Sequence, residues 1–311
     1  MSPDSHLSQA SGPHGPRPSR RLLGLGFLAP WSHHSSPSAP HAPGVAGAAS
    51  FPLPQGQHRT RWITALVGLP LLAACIWLGG WYLFAVVLAV SLAGLWEFFG
   101  LFPGVPVSPI RAASLLLGAV MVWLGFRFGP LAALAVVLAA FWLEELLRIA
   151  AKGMPARWLL MASLIYVPGS LQFVTRFGPG ETALVFAAVM ATDTGAYYAG
   201  HLLGGPKIWP SVSPKKTWAG SLGGLAATVA VCLIVGAAWG KASLTDFVLL
   251  GIALSIAAQM GDFMESALKR AADVKDSGAL LPGHGGVLDR IDGLLPAILV
   301  YALARAWAGF L

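Results

Sequence analysis

Charge is what this sequence has least of. Of its 311 residues 11% are charged, 13 of them acids and 20 of them Lys or Arg. A soluble domain carries about 25%, so this chain cannot cover a water-facing surface in the ordinary way. Cysteine is nearly absent. Cys75 and Cys232 each sit inside an apolar run, which excludes a disulfide framework and a zinc site built on paired cysteines. Two catalytic signatures are missing as well. There is no Gly-x4-Gly-Lys-Ser/Thr, which excludes a P-loop, and no His-Glu-x-x-His, which argues against a zinc membrane protease.

What is present is apolar: 56% of the residues are hydrophobic and the mean hydropathy is +0.69. Residues 1–58 stand apart. They are rich in Pro, Ser, Gly, Ala and His without a sustained period, a composition that cannot bury enough apolar surface to offset ordering entropy. A disordered tail is expected there, followed by a transmembrane catalytic domain over 59–311. From Trp62 onward, nine apolar segments follow in series: 62–78, 81–102, 110–126, 130–149, 158–174, 182–203, 218–239, 244–268 and 294–311. Most approach the length of about 20 residues that crosses the hydrocarbon core. The expected fold is an all-α polytopic membrane protein with about nine transmembrane helices.

The basic residues orient it. With a cytoplasmic amino terminus and alternating helices, the far side receives only Arg127, Arg176, Lys241 and Arg305 of the 20 Lys and Arg residues. Positive residues are retained inside, so this orientation is the preferred one. The formal charge of +7 then reflects topology and anionic ligands; no nucleic-acid partner is expected. The two most polar connections, 204–217 and 269–292, fall together on the cytoplasmic side.

Those connections carry the chemistry. Asp262, Glu265, Ser266 and Lys269 stand at i, i+3, i+4 and i+7, one face of a helix. A carboxylate at the end of a membrane helix is costly unless paired or metal-bound. Arg270, Lys275, Asp276, Asp289, Arg290 and Asp292 follow, with a Gly283-His284-Gly285-Gly286 turn between them. Carboxylates suit Mg²⁺, basic side chains suit phosphate oxygens, and glycine N–H groups can approach an anion closely. A simpler reading of Asp262 and Asp289 is an internal ion pair with Arg270 or Arg290. In the earlier stretch, Asp193 lies in an apolar helix, and Ser213-Pro214-Lys215-Lys216-Thr217 precedes another. Two lysines at a helix start make a phosphate seat. Glu144 and Glu145 are read as interfacial ion pairs with Arg148. Glu97 either pairs with Arg111 or lines the path of a lipid.

The string Ser266-x-x-Lys269-Arg270-x4-Lys275-Asp276-x-Gly278-x3-Pro282-Gly283-His284-Gly285-Gly286-x-x-Asp289-Arg290-x-Asp292 resembles the pattern of the phosphatidate cytidylyltransferases. The Ser-Pro-x-Lys-Thr element at 213–217 extends the resemblance, while Ala219 stands where many members carry Glu or Gln. The likeness covers most of 62–311 and is strongest from Asp193 onward. It implies transfer of the cytidylyl group of CTP to phosphatidic acid, at the cytoplasmic face of the inner (plasma) membrane. It also implies Mg²⁺ on Asp262 and Asp289, with a second, monovalent cation allowed. Asp262, Asp289, Lys269, His284 and Asp292 would be catalytic. Lys215, Lys216, Ser213, Thr217, Ser266, Arg270, Lys275, Asp276, Arg290 and Asp193 would bind substrate. Membrane lipids are the expected surroundings, and a homodimer is compatible with them. Two rivals remain: a CTP-dependent polyprenol kinase, and a transporter of a phosphorylated solute.

Overall fold

The computed structural model describes residues 55–102, 107–150, 159–280 and 285–311, with the side chains of 55–65, 107–108 and 147–150 outside that description. The tail expected over 1–58 lies almost wholly outside the described residues, as does His284. The first helix, α1 (Gln55–Leu78), starts within the last residues assigned to that tail. Gly79 and Gly80, at φ 60° and 51°, adopt a left-handed conformation that glycine tolerates without strain. They connect α1 directly to α2 (Gly80–Gly100). Next come α3 (Val107–Phe128) and α4 (Pro130–Ala150).

The fifth expected helix is broken. It forms α5 (Leu159–Tyr166), α6 (Pro168–Leu171) and a 3-10 turn over Gln172–Arg176. Pro168 has no N–H to continue α5. At Gly169 a side chain would meet the Leu164 carbonyl at 2.8 Å, so the chain folds back tightly there. The helix α7 (Pro179–Leu203) follows.

The all-α expectation needs one correction. The 204–217 connection contains a two-stranded antiparallel ribbon, β1 (Lys207–Trp209) with β2 (Ser213–Thr217). It delivers the chain to α8 (Trp218–Trp239), whose first turn is capped by the Thr217 hydroxyl accepting the Gly220 N–H at 3.1 Å. The last helices are α9 (Leu244–Ala271), α10 (Leu288–Ile291) and α11 (Leu294–Trp307).

Among the described residues, α2, residues Pro109–Phe128 of α3, α8 and α9 are long and apolar enough to cross a membrane. The 28-residue α9 exceeds the roughly 20 that the hydrocarbon core needs. Its surplus is the charged end that holds Asp262, Glu265, Lys269 and Arg270. A capping box between Ser243 and Asp246 fixes its other end.

The helices α7, α8, α9 and α11 pack around Phe247, Leu254, Leu295, Ile298 and Tyr301, all fully buried. Small residues set the α7–α8 seam. A Cβ on Gly195 would sit 2.7 Å from the Gly223 carbonyl, and one on Gly224 2.6 Å from the Thr192 carbonyl. Such seams let helix backbones touch where lipid supplies no hydrophobic drive. One hydroxyl pair, Thr192 with Thr228 at 2.5 Å, crosses the same seam.

Candidate active site

Two lysine–carboxylate pairs form the site. Lys216, on β2, donates to Asp262 Oδ2 of α9 at 2.7 Å and lies 4.5 Å from the Phe263 ring. Lys269, at the end of α9, donates to Asp289 Oδ1 of α10 at 2.8 Å and to Glu265 Oε2 at 2.5 Å. Lysines, and not Arg270, are the partners that these pairs show. Arg270 instead reaches the Val274 carbonyl beyond its own helix end, at 3.4 Å.

Backbone donors complete the Asp289 seat. The Ser277 N–H lies 3.2 Å from both Asp289 oxygens, and the Gly286 N–H lies 3.0 Å from Oδ2. Burial alone would raise this carboxyl. The bonds to Glu265, Lys269 and Gly286 outweigh it and hold Asp289 at about 2.

Asp292 is the opposite case. It is pushed up to about 9, first by burial and then by the charges of Asp262 and Glu265. The approach is set by glycines: the Asp292 carbonyl presses on Gly261, and Gly293 leaves room for Asp262 Oδ1, which a Cβ would meet at 3.1 Å. Glu265 Oε1 is buried with no hydrogen-bond partner. These hard oxygens, crowded and under-compensated, fit a divalent cation. Among the described residues, no three His, Cys, Asp or Glu side chains already surround a common point.

A cavity of about 460 Å³ opens beside the first pair, lined by Asp193, Lys207, Lys215, Lys216, Gln259 and Asp262 among others. It brings together residues from α7, the ribbon, α8 and α9. Sequence reasoning missed Lys207, which is exposed on the ribbon and lines the cavity, and Gln259, which is bonded to Ser221 and Ser255. A second cavity, of about 560 Å³ and almost wholly apolar, lies between α1, α2, α7 and the α10–α11 turn. Arg290 and Ile291 form part of its wall.

The remaining expected residues are placed less centrally. Thr217 is occupied as the α8 cap. Ser213 pairs with Trp209 in the ribbon, and Ser266 is half-buried on α9. Lys275 and Asp276 are exposed on the loop after α9.

One other expectation resolves differently. Glu97 does not pair with Arg111. Arg111 stacks on Trp96, 3.3 Å from the ring centre, and donates to the Trp96 carbonyl. Glu97 instead accepts the Leu288 N–H at 2.8 Å, reaching the start of α10. Glu144 is buried and accepts the Met161 N–H of α5 at 3.2 Å; the Arg148 side chain lies outside the described residues.

An intramembrane helical scaffold with paired lysines and carboxylates at one end is the arrangement of a phosphoryl- or nucleotidyl-transferring membrane enzyme. The chain belongs to the cytidylyltransferase family, whose sequence pattern matches residues 59–307. It is similar to the phosphatidate cytidylyltransferase of Brucella suis, at 35% identity over 80% of this chain and 94% of the relative. The Synechocystis phosphatidate cytidylyltransferase is 33% identical over 78% of this chain and 94% of its own length. For that of Mycobacterium bovis the figures are 32%, 62% and 69%.

Proposed function

We propose that this chain transfers the cytidylyl group of CTP to phosphatidate, releasing pyrophosphate and leaving CDP-diacylglycerol in the membrane. The observation that carries this reading is the setting of the two lysine–carboxylate pairs. A polar cavity rich in lysine adjoins one pair, and an apolar cavity lies behind the helix of the other. A nucleotide triphosphate matches the first and a two-tailed lipid matches the second. The names of the relatives agree with both.

The residues divide the work accordingly. Lys207, Lys215 and Lys216 face the polar cavity and neutralise the triphosphate. Lys269 and Arg290 flank the lipid side, next to Asp289. A phosphatidate oxygen forms the new bond to the α-phosphorus of CTP as the bond to the departing pyrophosphate breaks. The nucleophile is already an anion near neutral pH, so no general base is needed. Catalysis is positioning and charge neutralisation. Asp262, Asp289 and Asp292 with Glu265 would hold Mg²⁺, which when bound neutralises charge on the reacting phosphates.

The same reading puts the amino terminus and the site in the cytoplasm and the chain in the plasma membrane, with nine crossings. The order of the polar contacts supports it. The broken fifth segment runs from Glu144, at the end of α4, to Gly125, near the end of α3, where Arg176 donates to the Gly125 carbonyl at 3.0 Å. Its pieces together act as one crossing.

The deciding assay incubates detergent-solubilised protein with phosphatidic acid, Mg²⁺ and α-labelled CTP. Label in the lipid phase with release of pyrophosphate is the expected result. Release of CDP with no label in lipid would point to a kinase instead, and label confined to water with CTP intact would sink the assignment.

A further inference from the structure

Glu97 is 3% exposed on α2, far along the chain from every residue of the site. Its Oε2 accepts the Leu288 N–H at 2.8 Å and lies 3.4 Å from the Ser277 hydroxyl. Two loop glycines close over it. A Cβ on Gly278 would overlap Oε1, and one on Gly286 would come within 2.7 Å of Oε2. Its Oε1 is buried without a hydrogen-bond partner. A buried carboxylate in an apolar helix costs several kcal/mol unless something holds it there.

The loop residues that touch Glu97 are those that hold Asp289. Ser277 gives its N–H to Asp289 and its hydroxyl to Glu97. Gly286 gives its N–H to Asp289 and packs its Cα face on Glu97. Leu288, bonded to Glu97, immediately precedes Asp289. Two carboxylates therefore grip one stretch of backbone from opposite sides. One comes from α10 and the other from α2.

We infer that Glu97 is a positioning residue for the site, fixing the 277–278 and 286–288 backbone so that Asp289 and Lys269 meet in the reactive geometry. This rests on the role given to Asp289 above. Glu97 is not among the residues that line either cavity. Its effect passes through backbone donors, so removing it should lower turnover and leave nucleotide affinity nearly intact.

The test uses the full chain in detergent, with E97A, E97Q, G278A and the double variant E97A/G278A. Turnover of E97A should fall about 100-fold, the scale of a misplacement of roughly 1 Å, with KM for CTP changed by less than about 3-fold. E97Q retains an oxygen for the Leu288 N–H and should lose about 10-fold; it serves if E97A does not fold. G278A pushes on the Glu97 carboxylate and should mimic E97Q. In the E97A background it should cost nothing further, because coupled neighbours are non-additive. Hydrogen exchange gives a readout independent of activity. Peptides covering 275–288 should exchange faster in E97Q, and those covering 179–190 should not. Wild-type turnover in E97A and E97Q, a fully additive double variant, or a uniform rise in exchange across the chain would each overturn the inference. If the wild-type protein moves no label from CTP to lipid, the functional reading fails, and the exchange arm still decides whether Glu97 holds the loop.

Discussion

The two polar ends of the helix bundle are built from the same residue types and reach opposite outcomes. At the end away from the site, Glu181 at the start of α7 is saturated. Its Oε1 takes Arg305 at 3.0 Å and Tyr301 at 3.2 Å, and its Oε2 takes the Gly178 N–H at 2.6 Å. Arg305 continues to the Arg176 carbonyl, and Arg176 to the Gly125 carbonyl. These donors each end on an acceptor, which makes a clasp. At the site end, carboxylates outnumber the ammonium groups that reach them, and Glu265 Oε1 and Glu97 Oε1 are buried without partners. Asp292 is pushed up to about 9, by burial and by Asp262 and Glu265. Saturation gives stability; an unbalanced cluster keeps binding capacity for ions and phosphates that arrive later.

The sharpest way to break this contrast is to neutralise the site end. Asp289→Asn preserves an oxygen for Ser277 and removes the charge facing Lys269. Transfer of label to lipid should fall by about 1000-fold, and full activity in detergent would remove the model. Lys216→Met deletes the partner of Asp262 and a wall of the polar cavity. A loss of about 100-fold in kcat/KM for CTP is expected, and a change below about 3-fold would detach Lys216 from the nucleotide.

The far end should behave in reverse. Glu181→Gln should leave kcat unchanged. It should lower the melting temperature by about 5 °C, the weight of ~2 kcal/mol in a chain of this size, since Arg305 is partly solvated and the pair is discounted for screening. A loss of turnover without a loss of stability would erase the distinction between the ends.

The site end should also respond to pH. The Asp292 carboxyl stays protonated in the folded chain up to about 9, whereas an unfolded aspartate ionises near about 4. Ionisation therefore favours the unfolded chain across that window, and the metal-free melting temperature should decline as pH rises from about 5 to about 8. Asp289, held at about 2, acts in the opposite sense. Its contribution is present above about pH 4 and is lost only as pH falls toward 2. Melting in chelator at several pH values checks the slope; a flat or rising profile would contradict the Asp292 assignment.

Legibility in the sequence tracked distance along the chain. Lys269 and Asp289 lie 20 residues apart, within one dense charged stretch, and their type and spacing were readable before any coordinates. Lys216 and Asp262 were each readable, but their bond across 46 residues was not. Glu97 presented only as a solitary acid in an apolar helix, because its partners lie 180 and 191 residues away. The ribbon escaped because Lys207–Trp209 and Ser213–Thr217 lack the apolar alternation that announces a strand. Its pairing comes from closure over the turn. The break at Pro168 was hidden in a run that is apolar throughout, where hydropathy carries no period to interrupt.

The contact between Glu97 and the two loop glycines has a consequence for engineering. The segment 262–292 reads as a self-contained cassette, yet its glycines are cut to fit an atom supplied by the second helix. A chimaera that grafts this segment onto a scaffold lacking that acid would carry every signature residue and lose its alignment. Transplants that exchange the two pieces together should succeed where single-segment grafts fail.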